Sequence, residues 1–232
     1  MPHLPQPNPK KQNPVSFYPI YLTRLEEQKV VLIGGDEEAE RKGRELLDFG
    51  VSLEIINPTL PDSLLKLYRQ GRFRWVDRAY QYGDLEGAAF VVAAEYDDQT
   101  AETIAQETRE RNILTNIMDN IPLSDSAFGS IIKQGELTIS FSTNGLAPAL
   151  AVRLKEKLQQ EVDEAYGQFL EWARLLRPHI NEQITDSEKR KKLWYQWVDS
   201  EVIELLRQNR PDDARQLTEQ IWGKDLVDRS SL

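Results

Sequence analysis

The stretch KVVLIGGDEEAERKGRELLDFG, residues 29–50, decides the fold. It opens with a short, apolar, β-branched run that ends in Gly34 and Gly35, which is typical of a buried strand. The residues after the glycines place their apolar side chains near one face and charges elsewhere, which predicts an amphipathic helix that ends at Gly50. A strand that runs into paired glycines and then into a helix is the usual opening of a nucleotide-binding βαβ unit.

Strands and helices continue to alternate with short connections up to Asp119. This alternation predicts a parallel sheet covered by helices on both faces, a Rossmann-like α/β fold. The further elements predicted are strands in VSLEIINP (51–58), FRWVDR (73–78), AAFVVAAE (88–95) and ILTNIMD (113–119), and helices in PDSLLKLYRQG (61–71) and TAETIAQETRERN (100–112).

The pattern changes after Asp119. GELTISFSTNG, residues 135–145, alternates apolar and polar side chains and predicts an isolated, half-exposed strand outside the parallel sheet. From Pro148 the sequence is nearly all helical, beginning with one long helix over residues 148–176. A second helix is expected to open with a capping box at Thr185-Asp186-Ser187-Glu188 and to continue through Leu206, and a third to run from Pro211 to Gly223.

These patterns divide the chain into four parts. They are a flexible arm (1–15), a Rossmann-like domain (16–119), a dimerisation segment (120–150) and a helical domain (151–232). We expect a homodimer, because an uncovered edge strand invites pairing. The helix that follows adds an apolar stripe at spacings of three or four residues, formed by Tyr166, Phe169, Trp172 and Leu176.

Composition excludes several classes of function. With 232 residues, 40% hydrophobic and 29% charged, the chain is long and apolar enough for a proper core. Its net charge of −9 argues against a nucleic-acid binder. The absence of cysteine excludes disulfides and thiolate chemistry, and two histidines are too few for a His-rich metal site. Without a membrane-length apolar run or a secretory signal, a cytoplasmic protein is the plain interpretation.

The glycine turn departs from the dinucleotide-binding spacing G-x-G-x-x-G/A. Gly34 and Ala39 match the first and last positions, but Asp36 stands where the middle glycine lets the backbone approach the pyrophosphate. The next strand ends with Asn57 rather than with an acid that could bind a ribose. From spacing alone, a turn that binds a dinucleotide and a turn that merely connects strand and helix are equally good interpretations.

Four ordered motifs resemble one known family, the siroheme synthase N-terminal module, which includes precorrin-2 dehydrogenases and sirohydrochlorin ferrochelatases. The family opens with an aromatic-Pro-hydrophobic segment, then a strand, then GGG-x-x-A-x-R-K. It later carries an N-x-x-D motif and an ISTGG-x-SP segment. The matching stretches are YPIYLTRLEEQKVVLIGGDEEAERKGRELLDFG (18–50), DLEGAAFVVAAEYDD (84–98), LTNIMD (114–119) and LTISFSTNGLAPALAVRLKEKL (137–158).

The resemblance implies NAD-dependent oxidation of precorrin-2 to sirohydrochlorin in siroheme biosynthesis, and in some members insertion of iron, which is then a substrate. It also implies a homodimer that binds a tetrapyrrole. Asp119 of the N-x-x-D motif corresponds to the acid/base residue, and a carboxylate at the end of a buried strand suits that work. The candidate cofactor-binding residues are Gly34, Gly35, Asp36, Glu37, Glu38, Asn57 and Ala94, and the candidate substrate-binding residues are Asn116, Ser142, Thr143 and Arg41.

Departures from the family pattern keep an alternative open. Asp36 replaces a glycine, Glu95-Tyr96 stands where Thr-Asp is usual, and Asn144 replaces the first glycine after the Ser-Thr pair. The alternative is a member with weakened or lost NAD binding that acts as a tetrapyrrole binder or as a chelatase only. A third, remoter possibility is an interaction protein that has kept the fold alone.

Overall fold

The computed structural model describes residues 17–94 and 96–232, which form two compact units. The first unit ends at Phe128 and the second spans Gly129–Leu232. The arm expected over residues 1–15 lies outside the described residues. The division at residues 119 and 150 stays a prediction.

The first unit is the predicted Rossmann-like fold. Its five strands are all parallel, in the order β3-β2-β1-β4-β5. Its elements are β1 (Lys29–Ile33), α1 (Glu37–Asp48), β2 (Leu53–Ile56), α2 (Asp62–Arg69), β3 (Arg74–Val76), β4 (Ala88–Ala93), α3 (Asp98–Arg111), β5 (Leu114–Ile117) and a 3₁₀ turn (Ile121–Leu123).

Alternate residues of the central strand β1 pack into two separate cores. Val30 and Leu32 join the hydrophobic cluster that holds Leu64 of α2, while Val31 joins the cluster that holds Ile104 of α3. All five side chains are fully buried, and each contributes about 1.5–3 kcal/mol when it leaves water. Helices therefore cover both faces of the sheet, as the apolar run of β1 predicts.

The second unit begins with a β-hairpin, of which the sequence predicted only the second strand. β6 (Ser130–Gln134) pairs antiparallel with β7 (Leu137–Phe141). The prediction of an isolated strand was therefore wrong, because the short run SIIKQ supplies its partner. The turn of the hairpin lies against a helix, where a Cβ on Gly135 would stand 3.1 Å from Cα of Gly167.

Six helices follow in the described part of the second unit, and their boundaries correct two expectations. The long helix 148–176 is broken at Val162, because the Asp163 carboxylate accepts the N–H of Ala165 at 3.2 Å and starts a new helix. The new helix runs through Pro178, whose missing N–H removes one bond of the ladder. The helices are α4 (Pro148–Glu161), α5 (Glu164–Gln183), α6 (Ser187–Val198), α7 (Val202–Arg207), α8 (Pro211–Trp222) and α9 (Lys224–Arg229).

The helix expected to open at Thr185 also differs from its prediction. Its cap is Asp186, whose carboxylate accepts the N–H groups of Glu188 and Lys189 at 2.9 and 3.1 Å. The cap is therefore one residue later than expected, and Lys189 at the third helical position cannot complete a capping box. This helix ends at Val198, and α7 carries the remaining apolar residues up to Leu206. The end of α8 just before Gly223 is as expected.

The apolar stripe of α5 is used inside its own unit. Phe169 and Leu176 are buried, and the Phe169 ring stacks on Trp197 with centroids 4.0 Å apart. Two of the four stripe residues are therefore part of this unit's core, whereas Tyr166 and Trp172 are only half-buried. By contrast α4 has no buried residue, and Leu150 and Val152 are each about half exposed.

Candidate active site

The candidate site lies at the carboxyl ends of the parallel strands in the first unit. The strand order reverses between β1 and β4, and in open α/β sheets ligands bind where the connections diverge at such a point. Gly34 follows β1 and donates its N–H to the Ile56 carbonyl at 3.1 Å. Ala94 follows β4 and donates its N–H to the Ile33 carbonyl at 2.9 Å. Two predicted cofactor residues therefore face each other across this point.

Gly34 and Gly35 are each needed as glycine for a different structural reason. Gly34 has φ 129, a left-handed backbone that side chains disfavour. A Cβ on Gly35 would stand 2.2 Å from Nδ2 of Asn57 and 2.6 Å from the Thr59 carbonyl oxygen. The Asn57 amide itself donates to the Thr59 carbonyl at 2.8 Å. Gly35 thus allows close approach of the loop after β2, and Asn57 fastens that loop; its contact with a ribose stays a prediction.

Asp36 caps helix α1. Its carboxylate oxygen Oδ1 accepts the N–H of Ala39 at 2.8 Å. A carboxylate is favourable at a helix N-terminus, where it satisfies a free N–H and offsets the dipole. The N–H groups of Glu37 and Glu38 have no carbonyl to bond within the helix. The side chain is therefore turned onto the first turn of α1, and its negative charge stays at the place where a pyrophosphate would bind.

The predicted substrate residue Arg41 is paired with Glu38 on the same helix. Its guanidinium donates to the Glu38 carboxylate at 2.6 and 3.2 Å. This hydrogen bond raises the pKa of Arg41 and lowers the pKa of Glu38 from their ordinary values. Both side chains are more than half exposed, so the pair is weakly bound and its partners can separate.

The next residue, Lys42, is buried instead. Its ammonium lies 3.5 Å from the centre of the Phe128 ring and forms an ion pair with Glu45. Burial is the main cause that lowers the pKa of Lys42, against the opposing effect of Glu45. A cation held over a ring away from water contributes about 2 kcal/mol. Lys42 therefore fastens α1 to the end of the first unit and is not a free cation for a substrate.

Asn116 and Asp119 lie at the carboxyl end of β5, next to β4. Asn116 is 5% exposed; its Nδ2 donates to the Ser126 carbonyl at 2.8 Å, and its Oδ1 has no partner within the described residues. Asp119 is exposed and has a left-handed φ of 60. An unpartnered buried amide oxygen and an exposed carboxylate at the same strand end suit a site that receives hydrogen-bond donors and a proton.

Sequence patterns do not predict the two residues that shape this end of β5. The Tyr96 phenol donates to the main-chain carbonyl of Met118. The Ser124 hydroxyl accepts the N–H of Ile117 at 2.9 Å and lies 2.8 Å from the Asn120 carbonyl. Neither contact has a signal in local periodicity: the Tyr96 contact depends on β4 and β5 becoming neighbours, and the Ser124 contacts depend on the path of the turn after β5.

Ser142 and Thr143, the remaining substrate candidates, belong to the second unit. The Ser142 hydroxyl accepts the N–H of Asn144 at 3.0 Å, and the Thr143 hydroxyl accepts the N–H of Ala147 at 3.3 Å. Asn144 has a φ of 54, in the left-handed region that asparagine tolerates better than most residues. These bonds build a tight turn that leads into α4.

The residues at the switch point suit the carboxamide of a dinucleotide cofactor better than its pyrophosphate. The unpartnered Asn116 oxygen suits a carboxamide donor, whereas the Asp36 carboxylate opposes a pyrophosphate. The described ranges contain no group of three His, Asp or Glu side chains that could hold a metal ion. Within the same ranges, no helix combines the length and apolar character that a bilayer span requires.

Each of the two parts of the chain is similar to a known protein family. Residues 21–130 match a family described as "Putative NAD(P)-binding". Residues 165–221 match the "Sirohaem synthase dimerisation region". The chain is a relative of the siroheme synthase N-terminal module. The dimerisation match covers most of α5 through α8 of this module, and lies after the segment 120–150 expected from the sequence.

Curated relatives and a solved structure agree with this family. The chain is 30% identical over 206 residues to siroheme synthase of Pseudomonas paraeruginosa, which covers 89% of the chain and 44% of that protein. It is 28% identical over 212 residues to siroheme synthase 1 of Aeromonas salmonicida, covering 91% and 45%. The chain thus spans less than half the length of these relatives. The structure titled "SirC, precorrin-2 dehydrogenase" matches the fold with a TM-score of 0.71 at 22% identity, covering 88% of this chain and all of that one.

Proposed function

We propose that the chain oxidises precorrin-2 to sirohydrochlorin with NAD, and that Asp119 is the general base. The observation that carries the proposal is the exposed Asp119 carboxylate at the end of β5, next to the switch point of a Rossmann-like sheet. The match of residues 21–130 to an NAD(P)-binding family and the siroheme synthase relatives support the choice of cofactor and substrate.

The reaction removes a hydride and a proton from the macrocycle, giving sirohydrochlorin, NADH and a proton. NAD, when bound, accepts the hydride. Asp119 accepts the proton from a ring carbon or nitrogen through its exposed carboxylate, and such help is typically worth about 10²–10⁴-fold in rate.

Several residues would hold the cofactor. The N–H groups of Glu37 and Glu38 would bind the pyrophosphate at the start of α1. The backbone at Gly34 and Ala94 would line the cofactor on either side of the switch point, and the buried amide of Asn116 would orient its reactive end. Asn57 would face the ribose from the loop after β2.

Precorrin-2 is a polycarboxylate, and a chain with net charge −9 must bind it with local donors. Arg41 would exchange Glu38 for a substrate carboxylate, which an exposed ion pair permits at little cost. The binding of substrate by Ser142 and Thr143 stays a separate prediction. We also propose a cytoplasmic homodimer, supported by the dimerisation match and by the exposed apolar residues of α4.

The decisive experiment compares Asp119→Asn with the parent protein. Asn keeps the shape of the side chain and removes the base, so precorrin-2 oxidation, followed by the absorbance of NADH and sirohydrochlorin, should fall by about 10²–10⁴-fold. NAD affinity, measured by calorimetry, should change little. The matched control is Asp125→Asn, an exposed aspartate of the same loop, which should oxidise precorrin-2 at the parent rate. Parent-like turnover by Asp119→Asn would contradict the proposal.

A second candidate function is supported by Asp36. Its carboxylate caps α1 at the pyrophosphate position, so a member that binds tetrapyrrole without NAD, or that only inserts iron as a substrate, is compatible with the site. The two functions separate in one titration at low salt. NAD binding favours the dehydrogenase, whereas sirohydrochlorin binding without any NAD binding favours the chelatase or the simple binder.

A further inference from the structure

We propose that Tyr96 is a positioning residue for Asp119 and acts through the main-chain carbonyl of Met118. The inference rests on the proposed function of Asp119 as general base. Tyr96 follows β4, Asp119 follows β5, and these strands are neighbours in the sheet. The contact therefore joins the two strand ends that border the candidate site on one side.

Met118 is held by residues from the β4 end on both of its polar backbone groups. Its N–H donates to the Ala93 carbonyl at 2.9 Å. Its carbonyl accepts the phenol hydrogen of Tyr96. Since that carbonyl belongs to the peptide plane that also carries the N–H of Asp119, the phenol fixes the plane from which the Asp119 side chain starts.

Asp119 needs such support because its backbone is not in a preferred conformation. Its φ of 60 lies in the left-handed region, which an aspartate occupies only when its surroundings hold it there. On the far side, the N–H of Asn120 donates to the Ile117 carbonyl at 3.0 Å and closes the turn. The phenol of Tyr96 and this turn bond thus hold Asp119 from two sides.

The charges around Tyr96 keep its hydroxyl a donor. Partial burial is the largest cause that raises the pKa of Tyr96, and the nearby carboxylates of Asp119 and Asp98 add to it. The ring packs against the cluster that contains Ile104 of α3, so the phenol has a fixed direction. A neutral, oriented phenol donates to Met118 over the whole working range of pH.

An NMR measurement tests the hydrogen bond between Tyr96 and the Met118 carbonyl directly. The chain has two methionines, and only Met118 precedes an aspartate. A sample with carbonyl-labelled methionine and nitrogen-labelled aspartate therefore gives one carbonyl–amide NMR peak, from the Met118–Asp119 peptide. In Tyr96→Phe this peak should move, because the carbonyl loses its donor. If that variant does not fold, the same peak in the parent should move when high pH ionises the phenol.

Steady-state kinetics of Tyr96→Phe and of a matched control test whether the phenol affects catalysis. We expect Tyr96→Phe to lower kcat by about tenfold and to change the KM for NAD less than about twofold, because a misplaced base slows chemistry rather than binding. Tyr82→Phe removes an equivalent phenol bond, to Glu110, and should leave kcat unchanged.

The outcomes separate the two proposals. A stationary NMR peak, or an unchanged kcat in Tyr96→Phe while Asp119→Asn is inactive, overturns the positioning role and leaves the base in place. Full activity of Asp119→Asn overturns the proposed function and, with it, the role of Tyr96. A shifted peak together with a selective loss of kcat supports both.

Discussion

Replacing Asp36 with asparagine separates the two effects of its carboxylate. Asparagine is about as good a helix cap as aspartate, so Asp36→Asn should keep the bond to the N–H of Ala39 while it removes the charge. Asp36→Gly removes the charge and the side chain together, and a glycine cap costs only a few tenths of a kcal/mol. Both variants should bind NAD more tightly than the parent.

The size of the effect follows from the geometry. The carboxylate is fixed on the first turn of α1, where the pyrophosphate would bind the N–H groups of Glu37 and Glu38. Two like charges about 4 Å apart repel by about 1 kcal/mol in water and about 4 kcal/mol at an effective dielectric of 20. The turn is at the surface, so we expect a tenfold to several-hundredfold gain in affinity, at about 1.4 kcal/mol for each factor of ten.

Calorimetric titration of NAD at two ionic strengths measures this gain. The difference between parent and Asp36→Asn should be larger at about 0.01 M salt, where screening reaches about 30 Å, than at about 0.1 M, where it reaches about 10 Å. Asp186→Asn is the matched control, because Asp186 caps a helix of the second unit in the same way. Equal affinities of parent and Asp36→Asn at both salt concentrations would show that the carboxylate does not act on NAD.

Two further predictions concern the fold. Gly167→Ala should lower the melting temperature, because the added Cβ would stand 3.2 Å from the Gln134 backbone and such overpacking costs about 1–3 kcal/mol. Gly43→Ala is the control and should cost less, because its Cβ would stand at the same distance from the end of a flexible leucine side chain. Arg78 lowers the pKa of Asp84, so the stability from this pair is complete above about pH 4 and is lost as pH falls further. Melting curves of Asp84→Asn should therefore lie below those of the parent near pH 7 and converge with them near pH 2, and a gap that persists in acid would contradict this origin.

The strands and helices of the first unit could be predicted because each carries a strong local pattern. The run that ends at Gly34 has only one good interpretation, and Gly50 ends α1 in the left-handed conformation that glycine allows. The break at Val162 was missed because apolar residues continue across it. Asp163, a capping residue before a helical pattern, is the signal that would have revealed it.

The candidate site could be predicted only in part. Gly34 and Asp119 were found because a glycine turn and a strand-end acid are local features of the chain. The phenol contact of Tyr96 depends on β4 and β5 becoming neighbours, and the close approach of Asn57 to Gly35 depends on the path of the loop after β2. Distances across a sheet are set by the fold and have no counterpart in sequence spacing.

The buried ammonium of Lys42 limits the order in which this region can evolve. If Phe128 were lost first, the chain would keep a charge away from water with Glu45 as its main support, which is costly. If Lys42 changed first to methionine, the methionine side chain would still cover the Phe128 ring, and the Glu45 side chain could turn to solvent. Mutational routes that begin at residue 42 are therefore open, whereas those that begin at residue 128 pass through an unstable intermediate.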